Sequence, residues 1–322
     1  MSYLTIIRFT YFFFAITQIL LSTLRCVEIA GIAFALSVMT LVINCTINWI
    51  LIYGHFGAPG MGAAGAAVGT LTARIVEICV LIIYISRKQG WIGIRLKDYL
   101  KTDWEFGWKY YKVVCPLLVI QGLWGVNTAL QTVILGHMTA AAIAANSAAS
   151  NLFLMVKSAA VGAASAASVT MGKTIGSGDL DLAKLYSRKL QKLFVVMGLT
   201  CGVLLFFIRI PVLSLYQLSP ETRNMANTFL IILSVVMVGM SYQMPTNGGI
   251  IRGSGSIAYS MKVDLISTWV VVIPLSAFVA FMVKASPAVV VCCLNADQIF
   301  KCVPAFIKCN YGHWIQKHDR IK

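Results

Sequence analysis

The chain reads as an all-α, polytopic membrane protein, and three observations predict that class. Nine long apolar segments separated by short loops account for nearly all of its 322 residues. Apolar residues make up 59% of the chain and charged residues only 11%, and the mean hydropathy is +0.82. That composition leaves too little polar surface for a soluble globule of this size. Lys and Arg gather in every second loop, as they do where the two sides of a protein face different compartments across a bilayer.

About 20 consecutive apolar residues cross the bilayer core as a helix. Such stretches lie near residues 4–24, 30–54, 63–86 and 113–136. A longer one at 140–172 follows, then four more near 193–210, 225–250, 261–283 and 287–307. No soluble domain is left over. An odd number of spans puts the two ends of the chain on opposite sides of the membrane.

The net charge of +15 is read through its placement. Basic residues collect in cytoplasmic loops of membrane proteins, so the sum calls for a lipid bilayer and not for nucleic acid. The longest loop, 87–112, carries Arg87, Lys88, Arg95, Lys97, Lys101, Lys109 and Lys112. The loop after the fifth span carries Lys173, Lys184, Arg188, Lys189 and Lys192. Arg25, the pair Arg252 and Lys262, and the tail residues Lys308, Lys317, Arg320 and Lys322 fall on the same side if spans alternate. Gly54–Gly62 and His137–Ala140 are nearly free of basic residues, while Arg209, Arg223 and Lys284 are exceptions. This pattern predicts a plasma-membrane protein with a cytoplasmic C-terminus and an external Met1.

A first span only three residues after an external N-terminus predicts that spans are missing upstream of Met1. A cleaved signal peptide fits less well. Residues 1–26 have a single early positive charge, Arg8, and Arg25 stands before Cys26 where a small residue is needed for cleavage. The basic loop divides three spans from six. This predicts a partial N-lobe at 1–112, with three spans and the linker loop, and a six-span C-lobe at 113–322. Transporters are often built from duplicated bundles, and a two-lobed, twelve-span protein without its first three spans would give this arrangement.

Five motifs carry a family resemblance. They are Asn44 to Gly54 (NCTINWILIYG), Gly60 to Thr70 (GMGAAGAAVGT), Gly172 to Gly178 (GKTIGSG), Ile250 to Gly255 (IIRGSG), and the tail from Asn295 (NADQIFK) to Trp314 and Ile315. In this order they resemble the MATE (multidrug and toxic compound extrusion) transporters over essentially the whole chain, beginning at that family's fourth span. The resemblance implies a two-lobed bundle with an incomplete N-lobe. It also implies export of small organic, often cationic, compounds in exchange for Na⁺ or H⁺, with no cofactor and no enzymatic reaction.

The motifs also have a physical reading. Gly, Ala and Ser at 60–70 and 140–178 allow helix backbones to approach closely, where dispersion replaces the absent hydrophobic drive. Gly176 and Gly178 end a helix where a positive φ is often required, and Asp179 and Asp181 suit the positive start of the next helix. Gly172-Lys173-Thr174 is not a phosphate loop, since the position of its upstream glycine is Ala167 and no strand precedes it.

Polar groups at bilayer depth are costly unless paired or facing water, so they are the candidate pathway residues. Arg74 and Glu77, three apart on the third span, are placed to form an ion pair or to line a cavity. Lys157 lies near the middle of the fifth span with no acid close in sequence. On the fourth span Pro116, Gln121, Trp124, Gly125, Asn127 and Gln131 follow the family's Pro and Trp-Gly pattern. Where members often carry a Glu implicated in ion binding, this chain has Gln121, which cannot titrate and is a poorer Na⁺ ligand. The family's first-span Asp is missing, and Ser241 to Asn247 contains no acid where some branches carry one. Asn44 and Asn48 complete the candidates.

Pro245 and Pro274 are expected to kink their helices. The nine cysteines show no metal-ligand spacing, and His313 and His318 are expected to be solvated. Met155, Met171, Met237, Met240 and Met244 suit either an adaptable cavity or plain packing. No grouping of His, Cys and carboxylates supplies a reactive centre. Two other readings remain: a lipid-linked oligosaccharide flippase, which would need several basic residues inside its spans, and a transport-inactive fragment or half-transporter completed by a partner chain.

Overall fold

A computed structural model describes residues 2–26, 29, 31–57, 60–87 and 104–312. Lys88, Arg95, Lys97 and Lys101 of the basic loop, and His313, Trp314, Lys317, His318, Arg320 and Lys322 of the tail, lie outside the described residues. Among the described residues, nine helices are long and apolar enough to cross a membrane. They are α1 (Ser2–Cys26), α2 (Gly31–Tyr53), α3 (Ala63–Arg87), α4 (Trp104–Gly136), α5 (Ala140–Gly176), α6 (Leu180–Leu215), α7 (Pro220–Ile251), α8 (Ile257–Met282) and α9 (Pro287–Tyr311).

The chain divides into two compact units, Met1–Lys109 and Tyr110–Lys322, with the division falling inside α4. In the first unit α3 packs on both α1 and α2. Leu20, Leu21 and Leu24 of α1 meet Leu36 of α2 and Leu81 and Ile85 of α3 in a small core. The small-residue motif at the start of α3 does what its composition predicts. A Cβ on Gly65 would lie 2.8 Å from the Leu51 carbonyl oxygen, so only glycine lets the backbones of α2 and α3 come this close.

The second unit is organised around α7, which packs on α5 and α6 and supplies Phe229, Leu230, Met237 and Met240 to the main core. Close backbone approach recurs here. Cβ atoms on Gly198 and Gly202 of α6 would lie 2.8 Å from Val238 O and Ser234 O of α7. A Cβ on Gly249 would lie 2.8 Å from Ala164 O of α5. The alanine-rich length of α5 is therefore a packing face.

Two helices begin earlier than their apolar runs. α6 starts at Leu180, where the Asp179 carboxylate accepts the Leu182 N–H at 2.9 Å, so Lys184, Arg188, Lys189 and Lys192 stand on helical turns and not in a loop. α4 starts at Trp104, which makes Lys109 and Lys112 helical too, and Lys109 pairs with Glu105 at 2.8 Å. Hydropathy marks where a helix enters the apolar layer, not where its hydrogen-bond ladder starts. Gly178 has φ +84°, the left-handed conformation expected after the end of α5.

The prolines act through helix width. α7 widens into a π-helical stretch, Thr246–Ile251, directly after Pro245. α8 does so on both sides of Pro274, at Ile266–Val272 and Phe278–Met282. A ring without an N–H breaks the regular ladder, and the wider turn re-pairs the backbone. All nine cysteines are free thiols.

Candidate functional site

In the first unit the candidates pair with one another. Asn44 on α2 donates to Thr70 Oγ1 on α3 at 3.2 Å, and Asn48 donates to Asn44 Oδ1 at 2.9 Å. The remaining Asn48 acceptor is buried without a partner, beside Gly69, whose missing Cβ would lie 2.2 Å from it. Arg74 Nη1 and Glu77 Oε2 form an ion pair at 2.6 Å, with the Glu77 side chain buried. The Arg74 guanidinium also lies 5.1 Å from the ring centre of Phe14 on α1. The pair thus neutralises itself and ties α3 to α1.

In the second unit, Gln121, Trp124, Asn127 and Gln131 are spaced three, three and four apart and share one face of α4. Gln121 is exposed, Trp124 is 56% exposed, and Asn127 is buried and accepts from Gln131 at 3.4 Å. Across from this face, Lys157 of α5 holds its Nζ 5.5 Å from the Trp124 ring centre. Among the described residues no carboxylate lies within ion-pair distance of Lys157, and Asp297 of α9 is the acid whose charge acts on it. Met171 and Met237 are fully buried in the cores, whereas Met155 is 73% exposed.

Sequence reasoning missed a connected ionic cluster. The Arg252 guanidinium donates to Asp264 Oδ2 at 2.7 Å and to Ser260 Oγ at 2.9 Å. Lys301 Nζ bridges Asp264 Oδ1 at 3.3 Å and Asp297 Oδ2 at 2.8 Å. Gln298 donates to Asp297 at 2.8 Å and accepts from Gln243 at 2.7 Å. Two acids and two bases thus join α7, α8 and α9 with no net charge. Only the spacing of Asp297 and Lys301, four apart, signalled it in the sequence. Arg209, read as an external exception, is buried as well. It donates to Asn227 Oδ1 at 2.9 Å and to the Phe206 carbonyl, and lies 3.7 Å from the Phe206 ring centre. More basic groups therefore lie inside spans than Arg74 and Lys157 alone, but these are engaged by local partners.

A second polar knot closes α6, α7 and α9 against one another. Gln191 accepts from the Tyr242 hydroxyl at 2.8 Å and from Asn310 at 3.0 Å, and donates to Ser187 at 3.2 Å. Asn247, in the π-helical stretch of α7, is buried with neither amide atom partnered. Among the described residues no group of His, Cys and carboxylates is placed to hold a metal ion.

These features define an all-helical, multi-pass membrane bundle with charged side chains held at span depth. The MatE family model matches residues 116–278, just over half of the chain, and the chain belongs to that family. It is 24% identical over 246 residues to a probable multidrug resistance protein NorM of Bacillus cereus, an alignment covering 76% of this chain and 54% of that protein. It is 21% identical over 249 residues to the multidrug resistance protein MdtK of Edwardsiella ictaluri, covering 77% and 54%. The chain thus spans about half the length of these curated relatives. Its fold matches an outward-facing multidrug resistance MATE family transporter of the MOP superfamily with TM-score 0.83 and 17% identity, over 96% of this chain and 68% of that one. A MOP superfamily transporter from Pyrococcus furiosus matches with TM-score 0.80 and 16% identity, over 96% and 68%.

Proposed function

We propose that this chain exports small organic cations by alternating access across the plasma membrane, in exchange for Na⁺ or H⁺. The observation that carries this reading is the placement of Lys157 over the half-exposed face of Trp124. An indole face attracts a cation through its ring quadrupole, and here a side chain of the protein already occupies that position. An organic cation arriving at Trp124 competes with the Lys157 ammonium, and the charge of Asp297 offers the displaced lysine an alternative. Gln121, Asn127 and Gln131 on the same helix face supply neutral hydrogen-bonding groups that orient a solute without fixing its charge.

Gln121 carries no titratable proton, so the coupling ion must use another acid. Among the described residues the carboxylates well inside spans are Glu77, Asp264 and Asp297, each already neutralised by a basic partner. We assign coupling to the Asp264 and Asp297 cluster, which shares its unit with Lys157. The division of the chain at the linker supports an N-lobe part at 1–112 and a C-lobe at 113–322, and the basic residues support a cytoplasmic C-terminus with Met1 outside.

The test is purified chain in liposomes, with a cationic dye and an imposed Na⁺ or H⁺ gradient. Gradient-dependent dye movement that is lost in Trp124→Ala and Lys157→Ala supports the reading. Dye movement unchanged in both variants overturns it.

A second reading is a half-transporter that works only with further spans, supported by the match to about half of each curated relative. It predicts no dye movement by the chain alone, and recovery when a three-span segment from a relative is co-reconstituted. The flippase reading is weaker, because Arg74, Arg209, Arg252 and Lys301 are all engaged by neighbouring groups and do not wait for phosphates.

A further inference from the structure

A groove on the second unit runs between α6, α7 and α9. It encloses about 390 Å³, within the size range of small-ligand sites. Its walls are Val195 of α6, Val238 and Tyr242 of α7, and Phe306 of α9, with Lys192 at one end. The polar atoms near its floor are already used: the Tyr242 hydroxyl donates to Gln191, and Cys302 Sγ donates to the carbonyls of Gln298 and Gly239. The groove therefore presents an apolar trough and one ammonium group.

Its surroundings identify its occupant. Leu193, Val196, Leu199 and Val203 of α6 are all more than half exposed, which for a spanning helix is the face turned to lipid. Lys184, Arg188 and Lys192 recur every four residues along one exposed stripe of the same helix and lead down to the groove. The only described acid against that stripe is Asp181, 3.6 Å from Lys184. Below Lys192 the helix is apolar to Ile208, so the last charge of the stripe stands at the boundary between headgroups and acyl chains.

We propose that this groove binds one anionic phospholipid of the cytoplasmic leaflet, with its phosphate on Arg188 and Lys192 and an acyl chain laid along Val195, Val238 and Phe306. A neutral lipid would fill the trough equally well but would gain nothing from the stripe, whereas anionic headgroups concentrate next to basic residues at a membrane surface. The inference uses the cytoplasmic placement of the basic residues proposed above, but it does not depend on transport.

The experiment is native mass spectrometry of the full chain in detergent, titrated with phosphatidylglycerol or with phosphatidylcholine of the same acyl chains. The expected result is preferential retention of one phosphatidylglycerol. Apparent affinity should fall about fivefold for Lys192→Gln and again for Arg188→Gln, the usual effect of one basic residue near an anionic surface. Val195→Trp, which fills the trough and keeps the charges, should abolish the bound lipid. Leu204→Trp, on the exposed face outside the groove, should leave it unchanged. Equal retention of the two lipids, unchanged binding in Lys192→Gln, or displacement by millimolar inorganic phosphate would overturn the proposal. A bound lipid with no dye transport would leave this site standing and count only against the transport reading.

Discussion

Lys301 holds its ammonium 2.8 Å from the carboxylate of Asp297, one helical turn away, with both residues more than nine-tenths buried. A charge that deep is stable only while its partner is present. Lys301→Met should therefore lower stability by about 3–5 kcal/mol, the usual cost of leaving a buried charge alone. The double variant Lys301→Met with Asp297→Leu should recover most of that loss. Thermal unfolding of the detergent-solubilised chain measures both, and strictly additive losses would mean that the two residues are not coupled.

Gly65 faces the backbone of Leu51, and a backbone atom cannot swing aside. Gly65→Ala should destabilise the first unit by about 1–3 kcal/mol, as overpacking commonly does. Gly162→Ala, where a Cβ would meet nothing within 4 Å, should be neutral or slightly stabilising because alanine favours the helix. Equal effects at the two positions would contradict the close approach of α2 and α3.

Asn247 should respond with the opposite sign. A buried amide without partners costs free energy that an apolar side chain of similar size does not. Asn247→Leu is expected to raise the midpoint of unfolding. A lowered midpoint would show that the amide is satisfied by something bound to it in the membrane.

The proposed sidedness is open to a direct reporter assay. Green fluorescent protein joined after Lys322 should fluoresce, since it folds on the cytoplasmic side, and alkaline phosphatase joined there should be inactive. Active phosphatase at that position would reverse the topology.

The spans were legible because each depends only on an unbroken local run of apolar residues. The small-residue faces were legible for a related reason: a helix approached closely must carry Gly, Ala or Ser at the contact. The ionic cluster was hidden, because Arg252, Asp264 and Lys301 come from three helices and meet only once those helices pack. Lys157 was found through its depth, but its position over Trp124 depends on how α4 and α5 lie together. The starts of α4 and α6 were placed too late, since a polar helical turn outside the apolar layer leaves no mark on hydropathy.

The π-helical stretch Thr246–Ile251 has a consequence for how this sequence can change. A regular helix turns by about 100° per residue, and a wider turn accommodates a residue that regular geometry would place elsewhere. Removing one residue from 246–251 would let α7 return to ordinary winding while rotating everything after it by about that angle. Arg252 would then point away from Asp264, and Gly253 away from Ser168, which its Cβ would approach at 3.0 Å. In a library of single-residue deletions this short stretch should be less tolerant than the helix before it, even at positions where substitutions are accepted.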